Sequence, residues 1–541
     1  MTADALAAGT LAARDHLESC LAAADCEDGR RAFITMNSDA ARAEADRIDA
    51  LRAGGAALPP FAGVTLSVKD LFDVAGEVTR AGSRVLDDAA PAERDAVVVA
   101  RLRAAGFVII GRTNMTEFAY SGLGMNPHYG NPRSPWDRDN DGGRVAGGSS
   151  SGSAVSIADG MAAATIGSDT GGSTRTPAAF CGIVGMKPTA RRMPSDGVYP
   201  LSSSFDAAGP MGHSAACCAI LDDIMAGGDG RTETPFPAAG LRLAIPRGYL
   251  FEDLDPEVAA AFDAAAGRLS AAGAMISEIR IDILEELRPA NRPRSIVSAE
   301  AHEFHRRQLA ERHEGYDPYV AARLEAGGDI SAADYIAMHR EREATCAAVQ
   351  AVTRPFDALL VPTSPTVPQK IAPLEGIETL MKASARALRN TALSNYLDRP
   401  TVTIPCHQAG SAPVGLSLIG SRHHDRRLLA IAAGVEGIGG RPGVGAAQFG
   451  GDGFADNYRA GRTQGGDHHI IGRRLMAVIG RAAHFGWHVL GVEQILDAHR
   501  HAIDRRQRAA VTPARVAGVG GGAGALRVEG GEGADPRLVG V

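Results

Sequence analysis

Apolar and polar positions in residues 1–60 repeat close to the helical period, as in DAARAEADRIDALRAGG at 39–55, so this stretch is expected to be helical. Gly54 and Gly55 close that segment, and Pro59-Pro60 prevents its continuation. The β-branched run FAGVTLSVKD at 61–70 reads as a strand with Lys69 near its end. Residues 95–111, DAVVVARLRAAGFVIIG, read as a helix followed by a buried strand, the unit from which α/β proteins are built. A helix of small residues is expected over 153–166, and strands at FDALLVP (356–362) and PVGLSLIG (413–420). Residues 121–153 keep no period and hold eight glycines and three prolines; a loop of that length in a compact domain usually serves a function.

The alternation of helical and apolar segments runs to about residue 437 and then stops. Glycine supplies 23 of the last 104 residues but 42 of the first 437. The segment 438–541 also lacks lysine and is rich in Arg and His. One amphipathic helix is expected over 473–508. The rest of this tail reads as disordered sequence or as out-of-frame translation, with an accessory domain as the third reading. The division expected is therefore 1–437 as a domain and 438–541 as an atypical tail.

Composition narrows the class. Hydrophobic residues make up 45% and charged residues 22%, which suits a globular protein with a large core. The net charge of −7 gives no electrostatic footprint for nucleic acid or an anionic membrane, and neither is expected as a partner. Seven scattered cysteines without a CxxC pair suggest neither a disulfide framework nor a structural zinc site. No basic-then-apolar leader opens the chain, and no apolar run reaches the roughly 18 residues of a membrane span, so a cytoplasmic enzyme is expected. A homodimer remains open. Only four of the 56 basic residues are lysines (Lys69, Lys187, Lys370 and Lys382), so a lysine inside a motif carries extra weight.

Two glycine-serine loops carry the candidate chemistry: GGSSSGS at 147–153 and GSDTGGS at 167–173. Either alone would pass for a flexible linker. A phosphate cradle is disfavoured because no GxxxxGK[ST] is present. Gly148-Ser149-Ser150-Ser151-Gly152 fits the nucleophile elbow of α/β-hydrolase esterases, with Ser150 as nucleophile, but nothing downstream singles out the acid and histidine that such a site needs.

The residues that follow the second loop favour another reading. GSDTGGSTRTPAAFCGIVGMKPT at 167–189 resembles the signature of the amidase-signature family almost position for position. VKD at 68–70, GRTNMTEFA at 111–119, SPWD at 134–137 and PVGLSLIG at 413–420 extend that resemblance. It implies an α/β fold, a large mixed β-sheet covered by helices on both faces. It also implies hydrolysis of a small-molecule amide, carbamate or ureido bond through an acyl-enzyme, without metal or cofactor. The roles carried over are Ser173 as nucleophile, Ser149 as the bridging serine in a cis peptide, and Lys69 as base. The separation of the two serines in this chain, 24 positions, is the family's own.

The chemistry suits those residue types. A serine hydroxyl needs a base within hydrogen-bond reach. Lysine serves only when neutral, and lowering its pKa from about 10.4 to about 7 takes roughly 4–5 kcal/mol, which burial can supply. The backbone N–H groups of Thr170, Gly171, Gly172 and Ser173 are expected to form the oxyanion hole. Asp169 and Arg175 are expected to pair and support that loop, against the plainer reading of a solvated surface pair. The runner-up function is the glutamine-hydrolysing A subunit of an aminoacyl-tRNA amidotransferase, disfavoured because FDAAGP at 205–210 lacks the LDQxGP form. His302 and His305 in HEFH read as a surface helix without a third metal ligand, Cys181 as a core residue, and His128 and His213 as structural.

Overall fold

The computed structural model describes residues 2–140, 142–287 and 295–439. The expected 473–508 helix and nearly all of the 438–541 tail lie outside these residues. The described chain forms one eleven-stranded sheet. In chain order the strands are β1 (Phe33–Met36), β2 (Thr65–Lys69), β3 (Val108–Thr113), β4 (Ala164–Ser168), β5 (Val184–Lys187), β6 (Ala208–Gly212), β7 (Arg242–Arg247), β8 (Met275–Arg280), β9 (Ala358–Pro362), β10 (Thr401–Pro405) and β11 (Gly415–Ile419). Their spatial order is β1-β3-β2-β4-β6-β5-β10-β11-β9-β7-β8. The sheet is mixed: β3, β2 and β4 run parallel, β9, β7 and β8 run parallel, and the strands between them alternate. Helices cover it, as the α/β expectation requires.

Two apolar clusters fill the space between sheet and helices. One gathers Leu66 and Val68 of β2, Val108 and Ile110 of β3 and Ile166 of β4 against the N-terminal helices, including Leu17 and Leu21. The other packs β5, β7, β9, β10 and β11 against the helices Pro256–Ala271 and Asp425–Gly439, with Phe262 and Leu428 fully enclosed. β2 and β4 are buried along their entire length. Among the described residues no helix is long and apolar enough to cross a membrane.

Two expectations change in detail. The 1–60 region is helical up to Ala53 but for the turns between its helices and β1, whose four residues are too short to break the helical pattern legibly. The helix expected over 153–166 spans Ser151–Ala158 and stops where Asp159-Gly160 turns the chain, Gly160 having φ +70°. After that turn the small apolar residues Ala162–Ile166 lead into β4, because they are flanked on both sides by paired strands. A short apolar run does not reveal which of the two structures it adopts.

Every strand of the described sheet lies before residue 420. A chain truncated at about residue 445 is accordingly expected to fold and to keep most of its activity, since a domain of this size buries enough surface by itself. Circular dichroism and turnover of the truncated protein check this, and an insoluble or inactive product would make the tail part of the enzyme.

Candidate active site

The site begins with the pleat of β2. Alternate residues of a strand face opposite sides. Leu66 and Val68 enter the apolar cluster, while Thr65, Ser67 and Lys69 share the other face. That face is polar throughout. Ser67 bonds Ser156 Oγ (2.8 Å) and Thr165 Oγ1 (2.7 Å), which ties the strand to the helix Ser151–Ala158. The helix sits close to its neighbours: a Cβ at Gly152 would fall 2.1 Å from the Ala32 carbonyl oxygen. This packing places the loop preceding the helix directly over the end of β2.

Lys69 is fully buried there, and its Nζ lies 2.7 Å from Ser149 Oγ and 2.8 Å from Ser168 Oγ. Both partners are neutral hydroxyls. Burial pushes the Lys69 ammonium down to about 7, against a smaller opposing pull from Asp169 and Asp206. The Gly148–Ser149 peptide is cis.

The second loop follows β4. Ser173 lines a cavity of about 260 Å³ together with Thr170 and Gly171. The two serine loops meet through the backbone, Ser150 N–H donating to the Ser173 carbonyl at 3.2 Å. The structure thus brings Lys69 and Ser149 into direct contact and sets Ser173 beside them, with no hydrogen bond between the Ser149 and Ser173 hydroxyls among the described residues. Ser150 faces the other way. Its hydroxyl is buried and donates to the Ser168 carbonyl (3.3 Å), and the residue does not line the cavity. That orientation disfavours the elbow reading.

Asp169 and Arg175 are no surface pair: both side chains are fully buried. Arg175 grips the carboxylate through Nε (2.9 Å) and Nη2 (2.8 Å). The same carboxylate accepts from Gly172 N–H (2.8 Å), Thr174 N–H (3.1 Å), Thr174 Oγ1 (2.9 Å) and Asn395 Nδ2 (2.9 Å). Burial raises the Asp169 pKa, but Arg175 and Asn395 outweigh it and hold the carboxyl well below the usual range.

This network revises the expected oxyanion hole. The Gly172 N–H is taken by Asp169 and is not free for a substrate oxygen, so Thr170, Gly171 and Ser173 remain as candidate donors. Gly172 contributes conformation instead. Its φ is +138°, and a Cβ there would lie 2.1 Å from Thr391 Oγ1.

Several members of the site were missed in the sequence. Ser168 is the second partner of Lys69, and its position at the end of β4 was the available clue. Asn395, Thr391 and Ser394 clamp the loop from far along the chain: Thr391 Oγ1 donates to the Gly171 carbonyl (2.8 Å), and Arg175 Nη1 donates to Ser394 Oγ (2.6 Å). Asp206 accepts from Thr170 Oγ1 (2.5 Å) and from the N–H groups of Leu201 and Ser202, and burial raises it to about 6.

The remaining candidates lie outside this constellation. Cys181 is buried, and burial raises its thiol well above the usual range. His128 bonds Glu117 (2.8 Å). The helix carrying HEFH spans Ile296–Arg312, and only part of it is surface. His305 is fully buried among Phe118, Tyr199 and Tyr316, because an aromatic nest forms where this helix crosses the loop after β3.

Comparison with known proteins agrees with this geometry. The amidase family model matches residues 15–429. The chain is 36% identical to a 2-amino-5-chloromuconic acid deaminase from Comamonas testosteroni, over 75% of this chain and 88% of that one. It is also 36% identical to the AtzE subunit of the 1-carboxybiuret hydrolase of Pseudomonas sp. (strain ADP), over 77% and 93%. Against the A subunit of the glutamyl-tRNA(Gln) amidotransferase of Cupriavidus taiwanensis the identity is 33%, over 80% and 94%. A crystal structure of an amidase superposes with a TM-score of 0.72 at 32% identity, covering 81% and 98%. The chain belongs to the amidase-signature family and is a hydrolase acting on C–N bonds.

Asp169→Asn leaves the Arg175 guanidinium buried without its counter-charge, a change expected to cost about 3–5 kcal/mol of stability and most of the activity. Denaturant unfolding of the variant checks this; an unchanged midpoint would show that the pair does not hold the loop.

Proposed function

We propose that this amidase-signature hydrolase cleaves a small-molecule amide, carbamate or ureido bond through an acyl-enzyme on Ser173, with Ser149 as proton relay and Lys69 as base. The observation that carries the reading is the fully buried Lys69, with Nζ 2.7 Å from Ser149 Oγ and its pKa pushed down to about 7. A neutral lysine accepts the proton of Ser149, which takes that of Ser173 as Ser173 Oγ attacks the substrate carbonyl carbon. The oxyanion forms against the N–H groups of Thr170, Gly171 and Ser173, each such donor being worth about 10²–10³ in turnover. As the tetrahedral species collapses, the proton returns through Ser149 to the leaving nitrogen, the C–N bond breaks, and the acyl group stays on Ser173 Oγ. Water then repeats the sequence and releases the acid. Residues 1–437 contain every group this scheme uses.

A second reading has a specific observation behind it, the 33% identity to an amidotransferase A subunit, whose name implies work within a larger enzyme. Glutamine belongs in the substrate panel for that reason, beside amides, carbamates and ureido acids. Ammonia release from glutamine that exceeds turnover of the others would favour it.

A fluorophosphonate is expected to label Ser173, and Ser173→Ala to lose activity while remaining folded. Peptide mapping by mass spectrometry decides, and an adduct on Ser150 would overturn the assignment.

Since the reaction uses the neutral form of Lys69, and burial lowers its pKa to about 7, kcat/KM is expected to rise tenfold per pH unit below that value and to level off above it. Lys69→Ala is expected to fall by about 10²–10⁴. A flat profile between pH 5 and 9, both limits approximate and chosen to bracket the base, would remove Lys69 from the role.

A further inference from the structure

β4 and β6 are antiparallel neighbours, and Ser168 pairs with Ala208 where β4 ends and β6 begins. The pairing continues past the strands. Asp169 N–H donates to the Ala207 carbonyl (2.8 Å). At the next step the contact passes to side chains, Thr170 Oγ1 donating to the Asp206 carboxylate (2.5 Å). Thr170 lines the cavity beside Ser173, whereas Asp206 does not line it. Among the described residues the Thr170 backbone N–H has no partner, which leaves it open to a substrate oxygen.

The three candidate oxyanion donors are tethered differently. Gly171 is fixed through its carbonyl by Thr391 Oγ1 (2.8 Å), and Ser173 through its carbonyl by Ser150 N–H (3.2 Å). For Thr170 the tether is the side chain, and its anchor belongs to the cavity wall. Asp206 also accepts from the N–H groups of Leu201 (2.8 Å) and Ser202 (2.9 Å), and Leu201 and Phe205 line the cavity. That segment is held from its other side as well. Glu300, on the helix Ile296–Arg312, accepts from the hydroxyls of Ser202, Ser204 and Tyr335, and Arg342 Cζ lies 4.0 Å over the Phe205 ring. The Asp206 carboxylate therefore joins the oxyanion loop to a wall of the cavity.

We propose that Asp206 is a positioning residue for the reaction: by holding Thr170 against the wall segment 201–206 it sets where the Thr170 N–H meets the oxyanion, without itself touching the substrate. This holds on the acyl-enzyme reading, in which that N–H is one of the donors. A hydroxyl bonded to a carboxylate makes a shorter and stronger hydrogen bond than a neutral pair does, so the tether resists displacement. Threonine suits it, because the stiff χ1 of a β-branched side chain passes the constraint on Oγ1 to the backbone. Oxyanion donors act by being in place before the charge develops, and a misplacement of about 1 Å costs about 10²-fold in rate. The charge of Asp206 also bears on Lys69, whose ammonium it favours, while Glu300 is the like charge that faces it.

The rate at which a fluorophosphonate modifies Ser173 tests this without a known substrate, since the phosphonyl oxygen takes the place of the oxyanion. It is measured in full-length protein between about pH 5 and about pH 9, a range that brackets the base. Thr170→Val removes the hydroxyl and keeps the shape. It is expected to lower the plateau rate about 10–100-fold and to leave the pH of half-maximal rate in place, because the Asp206 charge remains. Thr170→Ser should recover most of that loss. Asp206→Ala should lower the plateau as well, and move the half-maximal rate to lower pH, since Lys69 loses a charge that favours its ammonium. Asp206→Asn can still bridge Thr170 and the N–H groups of Leu201 and Ser202, so it should recover most of the plateau and keep the shifted pH. A Thr170→Val rate equal to that of the wild type, or an Asp206→Asn plateau as low as that of Asp206→Ala, would overturn the proposal. Where Asp206→Ala fails to fold, the two Thr170 variants decide alone. Wild-type protein left unlabelled at Ser173 would strike the acyl-enzyme reading instead, whereas a labelled wild type with insensitive variants strikes the role of Asp206 only.

Discussion

Everything in the site depends on keeping one lysine dry. Lys69 ends a strand paired on both sides, under the helix Ser151–Ala158, and among the described residues its Nζ bonds the hydroxyls of Ser149 and Ser168. Desolvation disfavours the ammonium, and neutral partners do not restore it. Two carboxylates nearby, Asp169 and Asp206, pull the other way. Desolvation outweighs both, and each carboxylate has hydrogen-bond partners of its own. Asp169 is saturated by Arg175, Asn395 and the N–H groups of its own loop. Asp206, raised by burial to about 6, is engaged by Thr170 Oγ1 and the N–H groups of Leu201 and Ser202. Arg175, which looks like loop support, also holds the Asp169 charge in an ion pair within its own loop.

Topology explains how the parts meet. β2 and β4 are parallel neighbours, so their carboxyl ends emerge on the same side of the sheet. One end delivers Lys69. The other delivers Ser168 and, past it, the loop from Asp169 to Ser173. Open α/β sheets place ligands at the carboxyl ends of parallel strands for the same geometric reason. The helix Ser151–Ala158 precedes β4 in the chain, and the loop before it supplies Ser149.

How much of this the sequence disclosed depended on whether a residue's partners were local. Lys69 was legible because lysine is rare in this chain and stood at a strand end inside VKD. The two serine loops were legible as one long motif. Strand β2 announced itself as a β-branched apolar run, and β3, β9 and β11 as short apolar runs. The clamp on Asp169 was not legible, because Asn395 and Thr391 lie about 220 positions away and only the fold brings them near. The engagement of Gly172 N–H was hidden for another reason: a turn motif names its donors without saying which the protein itself consumes. His305 was misjudged as surface because its helix has a solvated face and the nest of Phe118, Tyr199 and Tyr316 is assembled from three separate segments.

That difference in legibility follows a division within the site. The groups proposed to handle protons and hold the nucleophile sit on two strand ends, the loops beside them and one short helix, in a span from residue 69 to residue 175. These parts must meet within tenths of an ångström, and a change in any of them moves the lysine, the relay or the loop. The cavity wall has a different origin. Residues 201–205, 295–297, 319–326, 338–341 and 381–396 line it, coming from helices and connections that pack over the sheet. Their side chains are held by contacts to one another, such as Arg342 over the Phe205 ring at 4.0 Å and Arg323 over Tyr120. On the proposed function, substrate choice falls to these wall segments, whose sequence pattern carries no motif, although Asn395 among them also holds Asp169. The reaction class can be read from a run of two dozen residues, whereas the molecule that reacts has to be read from the shape and charge of a wall that only the folded chain assembles.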